Sequence, residues 1–298
     1  MSFSKDVACI IAEYLAEYQL LEWIDVKKLC WVRLCENTRA IDLLSKNLDK
    51  INWSLLSTNS AAIELFRIGL DKINWGYLSQ NPGAICVLKE NLDKIYWPGL
   101  SQNSAAIDIL TTNIDKINWQ ILSTNPSAIE LLRSNQDKID WSGLSSNPAA
   151  IELLRANTDK INWVALSRNP AAIDLLTANP DRIHYGWLSI NTSAIDLIGK
   201  NLDKINWAML SQNTSAISML KENTKYIDWG YLSVISSAFD LLKSHPNKIE
   251  WIMLSENPAA IDLLRSHQNK ICWQLLSRNP GIFELKPDRK LIDKLLEI

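Results

Sequence analysis

Three histidines, His184, His245 and His267, are the side chains in this sequence best suited to metal or acid–base chemistry. His245 and His267 stand 22 residues apart, at the same place in two successive units of a repeat. Successive units of a stacked repeat lie about 10 Å apart, whereas zinc ligands lie about 2 Å from the ion. Two histidines in neighbouring units cannot hold one ion, so we expect no metal site.

Carboxylates, the other candidates for catalysis, recur in columns of the repeat and do not form one group. Catalytic residues should instead be exceptions to a repeat. The sequence also has neither a glycine-rich phosphate loop nor a nucleophile motif. We therefore predict no catalytic residue and no cofactor, and we expect that the protein is not an enzyme. A deep pocket lined by polar side chains that depart from the repeat would favour the opposite view.

The cysteines indicate the compartment of the protein, and its charge and hydropathy argue against binding to nucleic acid or spanning a membrane. Five cysteines without a C-x-x-C pair favour a reducing, intracellular compartment. A net charge of −2 and the lack of a basic block argue against nucleic acid, because clustered Lys and Arg supply most affinity for phosphates. No apolar run approaches the roughly 18 residues of a membrane span, and acidic residues interrupt the first apolar stretch. We expect neither a signal peptide nor a membrane span.

An aromatic residue recurs every 22 residues without insertion or deletion. Counting it as position 1, leucine stands at position 4 in all twelve units, serine at position 5 in all but the first, and asparagine at position 7 in all but the unit with Ile235. A fixed period of about 20–50 residues is typical of solenoids and propellers, whose units bury apolar surface only against their neighbours. The aromatic residues are Trp31, Trp53, Trp75, Trp97, Trp119, Trp141, Trp163, Tyr185, Trp207, Trp229, Trp251 and Trp273.

Capping residues divide each unit into two helices. Asn or Asp usually precedes the aromatic residue, as an N-cap does, and predicts a short helix A over about positions 1 to 5. Asn at position 7, followed by proline in six units, predicts the start of helix B, and Ala-Ile-x-Leu-Leu gives that helix a buried face. Asn at position 17 is expected to end helix B in the left-handed conformation, and Asp-Lys-Ile then returns the chain.

The sequence therefore predicts an all-α fold, an α-solenoid formed by a superhelical stack of twelve 22-residue two-helix repeats over residues 31–285. A leucine-rich repeat fails because it needs an apolar residue at position 2, where Ser54, Pro98 and Gln120 stand. Residues 1–30 are expected to form an N-terminal helical cap, and residues 286–298 a C-terminal capping helix that starts after Pro287. Each cap would shield an apolar face that has no neighbour.

Two stretches carry a resemblance to known proteins. The units NPSAIELLRSNQDKIDWSGLSSN and NPAAIELLRANTDKINWVALSRN resemble the short Trp-Leu-Ser-Asn-Pro-Ala-Ile repeats found in many proteins of giant DNA viruses. This resemblance covers about residues 31–285. It implies a viral repeat protein, located in the host cytoplasm or in the virus particle, and it implies no activity.

The lead-in FSKDVACIIAEYLAEYQLLEWIDVKKLCWVRL is similar to an F-box, although Ser4 stands where that family has proline. The similarity implies that residues 3–34 recruit a ubiquitin-ligase adaptor, with the repeats selecting a target. The matching apolar positions are Val7, Ile11, Tyr14, Leu15, Leu20, Leu21, Val26 and Trp31.

Two kinds of column are interpreted as structural. The aromatic column could stack sugars or bases, but its fixed register favours a buried core ladder. Acidic residues at position 12 and basic residues at position 20 favour a solvated, salt-bridged face, with a track for ions along the solenoid as the alternative.

Departures from the repeat are therefore the candidate functional residues. Position 3 is large and apolar in the last five units, and other apolar residues replace polar ones nearby. Clustered apolar groups on one face are typical of a partner-binding patch, although tighter packing between A helices is the alternative. The predicted partner-binding residues are Trp187, Met209, Tyr231, Met253, Leu275, Tyr226 and Ile190.

The leading functional hypothesis is thus a non-enzymatic protein-interaction scaffold of viral origin, with a place in the particle as a further expectation. The F-box adaptor is the second hypothesis, and an enzyme is the third. Neither the identity of the protein partner nor the oligomeric state follows from the sequence.

Overall fold

A computed structural model describes residues 17–286 of the chain. Each 22-residue unit forms one coil, and we number the coils 1 to 12 by their aromatic residues. Helix A begins at the aromatic residue in every coil, as predicted. The A helices are Trp31–Leu34, Trp53–Leu56, Trp75–Gln80, Trp97–Gln102, Trp119–Leu122, Trp141–Ser145, Trp163–Ser167, Tyr185–Leu188, Trp207–Leu210, Trp229–Val234, Trp251–Leu254 and Trp273–Leu276.

Helix B begins later than predicted, at position 11. The asparagine–proline start forms a separate 3₁₀ turn in many coils, and the chain bends at the alanine before the α-helix. The B helices are Ile41–Ser45, Ile63–Ile68, Ile85–Lys89, Ile107–Thr111, Ile129–Arg133, Ile151–Arg155, Ile173–Ala178, Ile195–Gly199, Ile217–Glu222, Phe239–Ser244 and Ile261–Ser266. The preceding 3₁₀ turns are Pro82–Ala84, Pro126–Ala128, Pro148–Ala150, Ser236–Ala238, Pro258–Ala260 and Pro280–Ile282.

The return connection is also a 3₁₀ turn in most coils. The prediction that Asn at position 17 is left-handed is wrong, because Asn157 has φ −139° and ψ 54° and no described non-glycine residue has positive φ. Its side chain ends helix B differently, since Nδ2 donates to the carbonyl of Leu153 at 3.0 Å. The turns are Val26–Lys28, Leu48–Lys50, Leu92–Lys94, Ile114–Lys116, Gln136–Lys138, Thr158–Lys160, Pro180–Arg182, Thr224–Tyr226, Pro246–Lys248 and Gln268–Lys270.

The core is a set of columns that repeat from coil to coil. In coil 7, Leu166 at position 4, Ala172 at position 10 and Leu176 at position 14 are all completely buried. Each coil is too small to enclose these groups alone, so the next coil covers them. Burial therefore joins the coils into one continuous core.

Asparagine at position 7 both caps a turn and joins neighbouring coils. Asn147 Oδ1 accepts a hydrogen bond from Ala149 N at 3.0 Å, as an N-cap does. Its Nδ2 donates to the carbonyl oxygens of Ser123 at 3.1 Å and Asn125 at 3.0 Å in the preceding coil. We call these contacts between coils the asparagine ladder. The predicted capping role is confirmed, and the contacts between coils are an additional role of this asparagine.

Serine at position 5 ties the two ends of its own coil together. Ser145 Oγ donates to the Trp141 carbonyl at 2.7 Å and accepts from Asn162 N at 3.0 Å. Cys35 replaces this serine in coil 1, and its Sγ makes the equivalent contacts at 3.3 Å with Trp31 O and Asn52 N. Burial raises the pKa of the Cys35 thiol, which favours the neutral form that donates this bond.

Coil 1 packs on coil 12 through these same ladder contacts. Asn37 Nδ2 donates to the carbonyls of Ser277 and Asn279, both at 3.1 Å, and Cys30 N donates to Ser277 Oγ at 2.8 Å. Asn37 is only 2% exposed, as are its equivalents inside the stack. Coil 12 contacts coil 1 through the same hydrogen bonds that join every other pair of neighbouring coils. The twelve coils therefore form a closed ring.

The two chain ends complete coil 12 jointly. Strand β1 (Glu17–Leu20) pairs antiparallel with strand β2 (Phe283–Lys286), and β2 lies where coil 12 would otherwise have its B helix. The 3₁₀ turn Val26–Lys28 then occupies the place of the return turn, with Leu29 buried like the isoleucine at position 21 of other coils. Lys46 Nζ donates to Glu17 at 2.9 Å, and this bond raises the pKa of Lys46.

The prediction of an all-α repeat solenoid is confirmed, but two details differ. The stack is a closed ring, not a superhelix with free ends. Residues 17–30 of the predicted helical cap form a strand and a 3₁₀ turn, because each end covers the apolar face of the other. Residues 1–16 and the predicted helix after Pro287 lie outside the described residues.

The aromatic column is half-buried, so the prediction of a buried core ladder is only partly right. One face of each ring packs on the core, and in most coils the lysine at position 20 lies over the ring, as Lys160 does over Trp141 at 4.6 Å. Lys28 covers Trp273 at 5.0 Å and so extends this column across the ring closure. Such cation–π contacts contribute about 0.5–1 kcal/mol each at exposed sites.

Contrary to the prediction of a salt-bridged face, the acidic column at position 12 and the basic column at position 20 do not pair with each other. Acidic residues at position 12 instead pair along or between B helices, as Asp174 does with Arg155 at 3.3 Å. Most of the basic residues at position 20 lie over the aromatic rings. These exposed ion pairs add little stability.

Candidate functional site

The A helices line the central opening of the ring, which we call the lumen. Neighbouring A helices contact one another more extensively than neighbouring B helices do. In a closed ring, the elements on the inner side must lie closer together than those on the outer side. A recess that spans coils 4 to 8 is lined by A-helix residues, which also shows that this side is concave.

Positions 2, 3 and 6 of helix A face the lumen. Position 3 places Ile121, Gly143, Ala165 and Trp187 in the lining of the recess, and position 6 contributes Arg168. The same register in coils 8 to 12 carries large apolar side chains. We call these residues the apolar wall: Trp187, Ile190, Met209, Tyr231, Val234, Ile252, Met253 and Leu275.

The apolar wall contains six of the seven residues predicted from the sequence. Tyr231 is 46% exposed, and Trp187, Met209, Met253 and Leu275 are half-buried, as is the predicted Ile190. The ring curvature turns these residues of successive coils toward one opening. The predicted list lacks two residues of the wall, Val234 and Ile252, and Ile252 is 62% exposed. Its position 2 varies freely, so only the curvature identifies it as a lumen residue.

Tyr226 does not belong to the apolar wall. It stands at position 20, where most coils have lysine, and its ring stacks on Trp207 with 4.7 Å between centroids and an interplanar angle of 21°. Tyr226 therefore replaces a cation–π contact by an aromatic stack in the tryptophan column. Tyr226 was predicted to bind a partner because it departs from the repeat. The stack on Trp207 explains that departure structurally.

The recess lies on the adjoining arc, over coils 4 to 8, and has a volume of about 700 Å³. Small residues at position 3, such as Gly143 and Ala165, open the space between coils. The polar lining side chains are Gln102, Gln120, Thr124, Asp140, Ser142, Ser146, Asn162 and Arg168. The lumen thus has an apolar arc over coils 8 to 12 and, next to it, an arc in which these polar side chains lie beside Ile121 and Val164. We call this second arc the polar arc.

Charges elsewhere in the lumen are paired at the ring closure. Arg278 contacts Glu256 at 3.1 Å and Glu36 at 3.5 Å, and Arg33 contacts Glu36 at 3.1 Å. These four side chains alternate in sign across coils 11, 12 and 1. They join the two ends of the chain and neutralise one another.

No protein-family model, curated protein or solved structure matches this chain. The arrangement of the lumen must therefore carry the functional argument by itself.

The size of the lumen admits a macromolecular segment. Packed helices lie about 8–10 Å apart, so twelve of them enclose a circle roughly 30–40 Å across. Helix radii of about 5–6 Å leave an opening roughly 20–25 Å wide. One α-helix or an extended chain can enter this opening with its side chains.

The polar arc does not present an activated nucleophile. Ser146 Oγ donates to the Gly143 carbonyl at 2.8 Å, and Thr124 Oγ1 donates to the Ile121 carbonyl at 2.8 Å. The Asp140 carboxylate accepts from Gly143 N at 2.7 Å as a helix cap, not from a histidine or hydroxyl. These groups are arranged to cap helices and to offer hydrogen bonds.

The described residues provide neither a metal-binding cluster nor a membrane-spanning helix. Within residues 17–286, no group of three or more His, Cys, Asp or Glu side chains could hold a metal ion. His245 and His267 lie beside Trp229 and Trp251, with ring centroids 5.1 Å and 4.8 Å apart. No helix in residues 17–286 is long and apolar enough to cross a membrane.

Residues 17–34 of the F-box-like segment contribute to ring closure. Leu20 and Leu21 pack against the core, and Leu21 N donates to the Ile282 carbonyl at 3.0 Å. Adaptor recruitment by residues 3–34 stays a prediction, and Val7, Ile11, Tyr14 and Leu15 lie outside the described residues.

Proposed function

We propose that this protein is a non-enzymatic interaction scaffold that holds a segment of a partner protein in the lumen of its ring. The observation that carries the proposal is the apolar wall, eight large side chains on one arc of the lumen that the chain itself leaves partly exposed. Apolar surface gathered on a concave face favours binding, because its burial against a partner releases water. Trp187 and Tyr231 are of the residue types most often found at the centre of interfaces.

The chemistry of the lumen favours protein over nucleic acid as the occupant. A duplex would fit the estimated opening, but phosphate backbones require a lining rich in lysine and arginine. The lumen instead carries Arg33 and Arg278 paired with glutamates, and Arg168 as one further cation. An apolar arc beside an arc with polar side chains matches a segment with one apolar and one polar face.

The resemblance of the repeats to those of giant DNA viruses supports a wider proposal. The scaffold then acts in an infected cell or as a component of the particle. Mass spectrometry of purified particles tests this setting separately from the lumen.

The lumen proposal is tested by replacing Trp187, Met209 and Tyr231 together by serine. Partner capture from extracts of producing cells is expected to fall at least about tenfold, because central aromatic anchors carry a large share of binding energy. The amounts of captured proteins are measured by quantitative mass spectrometry. The unfolding midpoint is measured beside them, so that lost binding is separated from lost folding.

A matched variant controls for the general loss of apolar surface. Ile68, Leu92 and Ile114 are 63%, 46% and 41% exposed and lie outside the A helices. Replacing these three by serine should leave capture unchanged. Equal capture by the wild type and the lumen variant, at equal stability, would contradict the proposal.

A further inference from the structure

We infer that the recess around Arg168 selects a partner segment that carries an acidic side chain at the edge of its apolar face. This inference rests on the proposed function, because it names the chemistry of the segment that the lumen holds. The apolar wall supplies affinity for any apolar face. The recess then distinguishes between segments whose polar faces differ in charge.

Arg168 differs from the other lumen charges because no described carboxylate pairs with it. Arg33, Arg278, Glu36 and Glu256 form one network at the ring closure, with contacts of 3.1–3.5 Å. The guanidinium of Arg168 instead lies 5.9 Å from the centre of the Trp187 ring. An arginine offers five N–H donors in a plane that suits a carboxylate, so this group is available for a ligand.

The recess leaves room for that carboxylate beside Arg168. Glycine and alanine at position 3 of coils 6 and 7 keep the floor low, and the cavity of about 700 Å³ extends from Gln102 to Trp187. The one acid in its lining, Asp140, already accepts the Gly143 N–H at 2.7 Å. Asp140 keeps its negative charge at the start of helix A in coil 6, and the other polar lining side chains are neutral. Arg168 is thus the cation in this lining that can bind a carboxylate.

Trp187 joins the two parts of the lumen. It is the first residue of the apolar wall and also lines the recess. A segment that packs an apolar residue on Trp187 therefore brings its neighbouring polar residue near Arg168. A carboxylate at that point gains a charge-assisted hydrogen bond that an amide or an ammonium does not gain.

The test uses three fluorescent amphipathic helical peptides that share one leucine face and carry glutamate, glutamine or lysine on the polar face. Binding to the full chain is measured by fluorescence anisotropy. The glutamate peptide is expected to bind roughly five- to tenfold more tightly than the glutamine peptide, because the ion pair is only partly shielded from water. The lysine peptide is expected to bind most weakly.

Variants at Arg168 assign this preference to the recess. Arg168→Gln should abolish the preference, and Arg168→Glu should move it to the lysine peptide. Arg182→Gln, which removes an exposed arginine from position 20, should leave it intact. A preference that survives Arg168→Gln, or equal binding of all three peptides, would overturn the inference.

The outcomes separate this inference from the lumen proposal. Equal binding of the three peptides, lost in the variant with Trp187, Met209 and Tyr231 replaced by serine, would sustain the lumen proposal and refute the acidic preference. Failure of all three peptides to bind would contradict both. A duplex DNA probe is measured in parallel, and tight binding of that probe would also contradict both.

Discussion

Replacing Asn37 by alanine is expected to lower the free energy of unfolding by about 2–4 kcal/mol. The substitution removes the two bonds that Nδ2 donates to the carbonyls of Ser277 and Asn279. It also removes the cap, in which Oδ1 accepts a hydrogen bond from Arg39 N at 3.0 Å. Two buried carbonyl groups then lose donors that water cannot easily replace. The loss is measured by urea unfolding followed by tryptophan fluorescence and circular dichroism.

Asn147→Ala is the matched control for this prediction. Asn147 makes the same three contacts in the middle of the chain and is as fully buried as Asn37. In a closed ring the two substitutions should cost the same within experimental error. In an open stack, Asn37 belongs to the first coil and has no coil behind it, so its loss would cost only the cap, about 1 kcal/mol.

Replacing Ile235 by asparagine is expected to raise the free energy of unfolding by about 1–2 kcal/mol. Coil 10 is the one coil without asparagine at position 7, and within the described residues no side chain donates to the Ser211 carbonyl. In the neighbouring coil, Asn213 donates to the equivalent carbonyl of Ser189 at 3.0 Å. An asparagine at 235 would supply this ladder contact and a cap, and would lose the partial burial of isoleucine.

Ile235→Ala separates these two effects. It removes the isoleucine side chain without adding a ladder contact, and it should destabilise the ring modestly. Amide hydrogen exchange in coils 9 and 10 should slow in the asparagine variant, because the contact joins those two coils. An asparagine variant as unstable as the alanine variant would show that packing at Ile235 outweighs the missing ladder contact.

Much of the fold within one coil could be predicted from the sequence, because capping and helix breaking depend on nearby residues. The asparagine and serine columns, the start of helix A and the proline-led turn all follow from local hydrogen bonding. The left-handed conformation predicted for position 17 is wrong for a reason that is also local. There the Asn157 side chain binds a carbonyl of its own helix, and the backbone stays at negative φ.

Ring closure could not be predicted, because it requires each of the twelve coils to be rotated by about 30° relative to the previous one. No motif within a single unit indicates this angle. One signal was present in the lead-in. Lys28, Leu29 and Cys30 precede Trp31 at the places that Lys-Ile-Asn occupies in other coils. Read in that register, residues up to Cys30 belong to coil 12, whereas a search for helical periodicity assigned them to a cap.

The candidate site was predicted from departures in the repeat, and the structure separates them by location. Position 3 faces the lumen, so Trp187, Met209 and Tyr231 share one surface. Tyr226 is an equally unusual residue for its position, but its ring stacks on Trp207 in the aromatic column. Arg168 is not a departure from the repeat, because position 6 is polar in most coils. Only the structure shows that it lies in the recess without a described carboxylate partner.

The distance between coil 1 and coil 11 tests ring closure most directly. Spin labels at Thr38 and Pro258, both exposed at position 8, are placed in a chain whose five native cysteines have been replaced, and double electron–electron resonance measures their separation. Ser60 and Ser104, which also stand two coils apart at position 8, give the reference distance. A closed ring predicts about 20 Å for both pairs, since coils lie about 8–10 Å apart. A separation of roughly 80–100 Å for the first pair, the length of ten steps in an open stack, would contradict the closed ring.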